Sequence, residues 1–597
     1  MLASAAMSDE EQARTPFVEQ VKSLGGVYWT ANWMELVERF AYYGVRTVLP
    51  VFMVLAISEG GPELTHVQKG TIYAIWALVQ SFVPIFSGVY ADRYGYKINI
   101  AISTVLKIVG YLVMGYCIVL AESFAGMTLE EARPLGADRT YEIFFVGALF
   151  LALGTAIFKP GVQGLIATKL PDKSASLGWG LFYQMVNIGG FLGPLTAGYL
   201  RVLAWEHVFV TCAVAISLNF IPLFLFREPT KQEQKDLRRI PTLSVDALKG
   251  LLEPKLFFFT IAFAGFWLMF YQLFDILPNF IDDWVDSRAI ATSLQGVLTW
   301  EGAVPTVNGG NLTQEWMINF NAGLISLFAF AVGFWTGKIR ALIAIVVGIA
   351  VSALGIYALG LSTTGWMILA AIGIFSVGEM MASPTKMRYL SSIAPPGRKG
   401  QYMGYVNMTV GIGWSIGSIV AGHWYEEGGD KVNLARRYLV EHLDMTQAQA
   451  DAIERGDVMT RFMELAEVDA WQARDLLWDT YDPSGMWLWF TLIGLASMLG
   501  LVAYDRVVAR AKKDPSFSFN TRGRLWVQAA VIPIFVILVT ATIFQLQGLI
   551  ADGKTLGEAL LGSLALAANS TLLGILAVAT FVMKEDKRDD VVGPTEF

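Results

Sequence analysis

Twelve consecutive residues, Glu35-Leu-Val-Glu-Arg39-Phe-Ala-Tyr-Tyr-Gly-Val-Arg46, place two carboxylates and two guanidinium groups inside an apolar segment long enough to cross a bilayer. On a helix turning about 100° per residue, Glu35, Glu38, Arg39, Tyr42 and Arg46 share one stripe. Charge at membrane depth is held only where it faces a protein interior or a watered cavity and finds partners, so the stripe has the chemistry of a solute or proton path. The rival reading of Glu35 and Arg39, at i and i+4, is a structural intrahelical ion pair. Lys159 lies between apolar residues just before Pro160. Its ammonium either points into a shared cavity or gives up its proton there, and it attracts a carboxylate or pairs with Glu35 or Glu38. Glu379, alone among apolar neighbours, suits an α-amino group, so a dipolar solute would bridge the two groups of charges. Ser383 and Pro384, one turn on, would open the helix locally and free a carbonyl. Tyr42, Tyr43, Asn187 and Asn321 offer neutral hydrogen bonds that would hold the polar groups of a solute between its charged ends. The tyrosines serve equally as core aromatics, and the asparagines as bonds between helices. Trp414 either lines a side-chain pocket or packs.

The chain that must position these groups has 597 residues, 54% hydrophobic and 16% charged, which is too apolar for a set of soluble domains. It reads as a polytopic membrane protein. The net charge of -7 is spread without a basic domain, so nucleic acid is not a partner. Cys117 and Cys212 sit in apolar runs, and the four histidines have no ligand spacing, so no metal site or disulfide is expected. No nucleophile elbow or phosphate loop points to an enzyme. No cofactor is expected either, the driving force being a proton gradient. Met1 to Gly26 is polar and mixed in charge, so no cleaved signal peptide is expected and the first membrane helix is its own insertion signal.

Taking about 20 apolar residues per crossing, helices are expected near 33–56, 68–90, 97–120, 141–168, 177–201, 206–226, 256–281, 316–337, 339–361, 365–389, 400–424, 485–508, 523–547 and 556–583. Lys and Arg concentrate in the even loops, such as Arg93 with Lys97 and the cluster Arg506 to Arg524. The odd loops are acidic or neutral, as Asp282, Asp283 and Asp286 illustrate. By the positive-inside rule both termini are cytoplasmic. The domain plan is a cytoplasmic segment 1–32, a six-helix bundle 33–226, a basic linker 227–255, a second six-helix bundle 256–508, two accessory helices within 509–583 and a tail 584–597. Within the second bundle, residues 425–483 hold 14 Asp or Glu against 6 Lys or Arg and read as a helical extracytoplasmic insert. Thr446-Gln-Ala-Gln449 and Asp469-Ala-Trp-Gln472 have the pattern of capping boxes. The insert reads as a packed lid.

The second helix ends Gly88-Val-Tyr-Ala-Asp92-Arg93-Tyr-Gly95-Tyr-Lys97, which resembles the signature loop of the major facilitator superfamily. There Asp92 and Arg93 would latch one conformation by pairing at the cytoplasmic helix ends. Three further segments resemble the proton-dependent oligopeptide transporter family: Gly154-Thr-Ala-Ile-Phe-Lys159-Pro160, Phe182-Tyr183-Gln-Met-Val-Asn187-Ile-Gly189, and Gly378-Glu379-Met-Met-Ala-Ser383-Pro384 with its followers Ala394-Pro395 and Met403-Gly404. The resemblance implies that Glu35, Glu38 and Arg39 couple protons and contact the solute carboxylate, and that Lys159 and Glu379 flank the binding site. Family members commonly carry a carboxylate just before the seventh-helix glutamine, where this chain has Tyr271-Gln272. Asp275, one turn on, is the substitute, and Arg46 with Asp275 is expected to form an outer gate.

The expectation is an all-α membrane protein with the major facilitator fold, two six-helix bundles rocking about a midplane cavity, two extra C-terminal helices and the insert. Its function would be proton-coupled import of di- and tripeptides by alternating access, with protons, small peptides and the bilayer of the plasma or inner membrane as partners. The rivals are the same fold carrying nitrate, an organic acid or a peptide-like compound, and a non-transporting receptor.

Overall fold

The computed structural model describes residues 17–171, 174–225, 252–394, 399–513, 519–551 and 553–582. The terminal segments, most of the linker 227–255, Pro395 and the tail 584–597 lie outside them. Helices fall in all fourteen stretches expected to cross the membrane, numbered here α1 Gly26–Phe52, α2 His66–Tyr94, α3 Tyr96–Gly115, α4 Thr140–Lys169, α5 Ala175–Leu203, α6 Trp205–Ser217, α7 Pro254–Phe270, α8 Gln314–Thr336, α9 Ala341–Leu359, α10 Gly365–Ile393, α11 Lys399–Gly428, α12 Gly485–Lys513, α13 Phe519–Ala551 and α14 Leu564–Val582. Among the described residues nine are long and apolar enough to span, and ten if Leu556–Gly562, bent by 63° from α14, is taken with it as one span. The helices that fall short are α1, α2, α5 and α11. These carry the charged stripe, His66 with Lys69, Asn187, and Glu426 with a run of glycines, so polar cargo lowers their hydropathy.

Contacts divide the chain into two compact units, residues 1–49 with 82–240 and residues 50–81 with 241–597. In the first unit an apolar core gathers Tyr28, Met34, Ile100, Phe158, Leu165 and Ile166 from α1, α3 and α4. Close backbone approach sets the helix crossings. A side chain at Gly189 of α5 would run into the Leu36 carbonyl and stand 2.8 Å from Arg39 Cβ, so glycine there lets α5 lie against the charged stripe. The α2–α3 turn uses Gly95 at φ 113, in the left-handed region that favours glycine. That conformation makes the turn of the signature loop tight; the side chains of Asp92 and Arg93 lie outside the described residues.

In the second unit α7 is broken. It continues as Gln272–Asp275 and Leu277–Trp284, which puts Asp275 at an interruption in the span. By contrast α10 runs uninterrupted through Pro384, so the local opening expected at Ser383 and Pro384 is not what forms. Pro384 removes one donor, and the flanking turns hold the helix. The first four residues of α2 pack on α11, where a side chain at Gly422 would stand 2.6 Å from the His66 carbonyl. The insert folds into helices Lys431–Glu441, Gln447–Asp451, Val458–Ala466 and Ala470–Tyr481. Both expected capping boxes form, at Thr446 with Gln449 and at Asp469 with Gln472. A helix Arg288–Val297 and a hairpin pairing Thr306–Val307 with Asn311–Leu312 fill the loop before α8, which the sequence pattern does not announce. Of the accessory helices, α14 reaches α11 through Asn569, which donates to Ser415 Oγ at 2.8 Å.

Gly189→Leu is expected to lower the melting temperature of the purified protein by several degrees, because overpacking costs about 1–3 kcal/mol. Gly180→Leu, where nothing lies within 4 Å of an added Cβ, is the control. Equal melting of the two variants would show that the α1–α5 approach is not tight.

Candidate functional site

The charged stripe of α1 is buried: Glu35, Glu38, Arg39 and Arg46 are each no more than 5% exposed. In the first unit Arg39 sits at the centre. Its Nε lies 3.1 Å from Glu35 Oε1 and its Nη2 pairs with Glu38 Oε2. The other Glu38 oxygen accepts from Lys107 Nζ at 2.7 Å. Lys107 stands on α3, fully buried, with its ammonium 4.0 Å from the Phe158 ring centroid. Its stem passes Gly154 of α4, where an added Cβ would stand 2.7 Å from Lys107 Cγ. The Gly154-Thr stretch therefore makes room for a cation on the neighbouring helix. Lys159, five residues further along α4, interacts electrostatically with Glu35, Glu38 and Arg39. The Tyr42 and Tyr43 rings flank the guanidinium, at 5.3 and 5.9 Å from Arg39 Cζ.

These residues form one polar cluster within the unit: two carboxylates, Glu35 and Glu38, facing three bases, Arg39, Lys107 and Lys159. Both Glu38 oxygens are in ion pairs, whereas of the Glu35 oxygens only Oε1 is paired among the described residues. Such a cluster can bind an anionic group and exchange a proton at Glu35. Asn187 Nδ2 donates to Tyr183 O at 3.1 Å in its own helix. Lys107 is the residue that sequence reasoning missed. The signal was present: a lysine between Leu106 and Ile108 in the middle of a span falls under the same rule that singled out the stripe.

In the second unit Glu379 accepts from Asn321 Nδ2 at 3.0 Å, and Asn321 also donates to Ser376 Oγ at 2.9 Å. Two expected site residues are thus brought together. Ser383 follows one turn along α10, half-buried. Two turns beyond Glu379 on the same helix is a second unforeseen lysine, Lys386, 3% exposed with its ammonium 4.3 Å from the Trp267 ring centroid. Asp275, at the break in α7, accepts from Trp414 Nε1 at 3.0 Å and from Ser418 Oγ at 2.7 Å. Trp414 is 2% exposed and stacks on Tyr271 at 4.2 Å between centroids, so it holds the carboxylate and packs.

A family model described as Major Facilitator Superfamily matches residues 34–418. The chain belongs to the major facilitator superfamily. Among curated superfamily relatives, peptide transporter YePEPT of Yersinia enterocolitica subsp. palearctica serotype O:3 (strain YE-P4) is 28% identical over 208 residues, 34% of this chain. That match covers only 36% of the relative's own length. Multidrug resistance protein MdtH of Edwardsiella ictaluri (strain 93-146) is 22% identical over 396 residues, 66% of this chain and 85% of the relative. A solved structure of peptide transporter POT in complex with sulfate, 17% identical, aligns with a TM-score of 0.54 over 84% of this chain and 98% of that one. At that identity the likeness is one of fold, and the fold is the multi-pass helical one expected from the sequence.

Lys107→Met leaves one side of a buried carboxylate uncompensated and is expected to cost about 3–5 kcal/mol of stability. Adding Glu38→Gln should recover at least about half of that loss, read as melting temperatures in a double-mutant cycle. Strictly additive losses would show that the two side chains do not interact.

Proposed function

We propose that the chain is a proton-coupled carrier of di- and tripeptides that works by alternating access, with both termini cytoplasmic and the 425–483 insert outside. One observation carries the reading: within the first unit two buried carboxylates meet two buried bases and the half-buried Lys159, leaving a formal excess of one positive charge. That excess suits the carboxylate of a peptide. In the second unit Glu379, fixed by the neutral amide of Asn321, suits an α-amino group. The similarity to a peptide transporter and to a peptide transporter fold supports the same cargo. Proton coupling is assigned to Glu35, whose second oxygen has no hydrogen-bond partner among the described residues and takes a proton when solute and water reach it. Neutralising Glu35 frees Arg39 to engage the cargo, so proton and peptide bind together.

Arg46 and Asp275 keep their proposed part as an outer gate, with Asp92 and Arg93 as a cytoplasmic latch. Asp275 accepts from two neutral donors, Trp414 and Ser418, which orient its carboxylate. A second cargo class has one observation in its favour, since the match to a multidrug resistance protein covers 85% of that relative.

Proteoliposomes should accumulate a labelled dipeptide only with an inward proton gradient. Gradient-independent uptake would remove the symport, and failure of unlabelled peptides to compete would favour the other cargo. Glu35→Gln is expected to abolish accumulation while counterflow exchange persists; accumulation retained in that variant would move the proton site elsewhere. For the gate, the charge exchange Arg46→Asp with Asp275→Arg should restore transport lost in either single variant, and no recovery would reject the pairing.

A further inference from the structure

An unbroken run of hydrogen bonds fastens the insert to the first turn of α2, and nothing in the transport scheme uses it. Arg455 Nη2 donates to Asp430 Oδ2 at 2.5 Å, and His66 Nε2 lies 2.8 Å from the same oxygen. On the far side of the ring, His66 Nδ1 lies 2.8 Å from Lys69 Nζ. Lys69 also donates to Asn279 Oδ1 at 2.6 Å, and Asn279 Nδ2 donates to the Pro50 carbonyl at 2.8 Å. All of these residues except Arg455 are no more than 3% exposed or, like Pro50, contribute only a backbone carbonyl to the run. The groups around the imidazole complete the picture. Glu426 of α11 accepts from the His66 backbone N–H at 2.5 Å, and the Tyr425 ring lies 4.6 Å away while its hydroxyl donates to Asp283. Asp275 and Asp283 both interact electrostatically with Lys69.

The partners dictate the protonation state of the ring. An ammonium has donors and no acceptor, so Nδ1 must accept from Lys69. Burial alone would raise the Asp430 pKa, yet Arg455 and then His66 hold it below the usual carboxylate range, so this carboxylate is ionised and takes the Nε2 proton. The imidazole is therefore neutral, with its hydrogen on Nε2. A proton added at Nδ1 occupies the one lone pair facing Lys69 and, while Lys69 keeps its own proton, sets two cations 2.8 Å apart. The bond to Asp430 survives that event, and the bond to Lys69 does not.

We propose that His66 is a proton-operated catch between the insert and α2, which in its neutral form holds Lys69 and Asp430 together and in its protonated form keeps Asp430 and releases Lys69. The proton comes from water on the insert side, adds to Nδ1, and breaks a single hydrogen bond. Lys69 is then free to turn fully toward Asn279 and Asp275, so acidity on the insert side reaches the break in α7. The consequence for uptake rests on the proposed transport function, whereas the chemistry of the catch does not.

The chain has four histidines, so the full-length protein labelled with ¹⁵N-histidine in lipid nanodiscs gives a simple spectrum, with His66 assigned through His66→Gln. The expected result is a neutral Nε2–H ring near neutral pH that becomes doubly protonated on acidification, in a transition moved to higher pH by Lys69→Met and to lower pH by Asp430→Asn. A neutral Nδ1–H ring, or a transition that neither variant moves, overturns the catch. In proteoliposomes under a fixed membrane potential, His66→Gln should move the outside pH of half-maximal dipeptide uptake by about 1 or more. Asp430→Asn supplies the same readout should His66→Gln fail to fold, and an unmoved profile in a folded variant rejects the role in transport. If the unmodified protein takes up no dipeptide, the transport reading fails and the spectrum alone decides the catch.

Discussion

Arg39 must be paired on two sides or the first unit cannot exist inside a bilayer, and much of the local architecture answers to that requirement. A guanidinium, two carboxylates and two ammonium groups placed out of water each carry a desolvation cost that only their mutual attraction offsets. Glu35 supplies one partner from the same face of α1, an arrangement available to any helix with this spacing. Glu38 supplies the second but brings another negative charge, and Lys107 has to cross from α3 to balance it. The pairing is therefore a tertiary one, and it holds α1 and α3 in register as well as satisfying charge. The balance is uneven by one formal positive charge, and the proposed binding of an anionic group rests on that excess.

The same constraint explains where glycines fall. Ions 2.7 Å apart on different helices, as Lys107 and Glu38 are, demand backbones closer than large side chains permit. Gly189 lets α5 press on the turn that carries Arg39, and Gly154 lets the stem of Lys107 slip past α4. Both belong to segments that read from sequence as signatures, and the structure gives their glycines a physical role, which is to set the reach of the charges. Lys159, in the same signature as Gly154, then meets the cluster that Gly154 makes possible.

Local rules made a large part of this legible. The i, i+3, i+4 spacing of Glu35, Glu38 and Arg39 and the capping boxes at Thr446 and Asp469 depend on neighbours in sequence and take the expected form, and helices fall in all fourteen apolar stretches, nine or ten of them long and apolar enough to span among the described residues. What escaped depends on neighbours in space. Lys107 is one residue in an apolar run, and its partner lies 69 positions away. His66 and Asp430 are 364 positions apart, with nothing in either segment to announce the other. Pro384 misled in the opposite direction, because a lone proline suggests an opened helix while the flanking helical turns keep α10 continuous. The hairpin at 306–312 is two residues per strand, too short to leave a period in the sequence.

The insert shows how a peripheral element becomes answerable to the membrane core. Asp430 is the N-cap of the helix Lys431–Glu441, its Oδ1 accepting from the Asn433 backbone N–H at 2.8 Å, while its Oδ2 accepts from Arg455 and faces His66. One carboxylate thus caps the helix that opens the insert, neutralises the arginine that ties the insert to the Val54 carbonyl, and orients a histidine on α2. A group with three duties cannot titrate independently of any of them. Its charge has to stay fixed for the helix start to hold, so a proton arriving at this junction goes to the ring beside it, and the strain appears at Lys69, the member of the run that lies deepest along α2. The fixed acid on the insert and the movable base on the transmembrane helix are what make the junction directional, carrying a change inward while the insert stays folded.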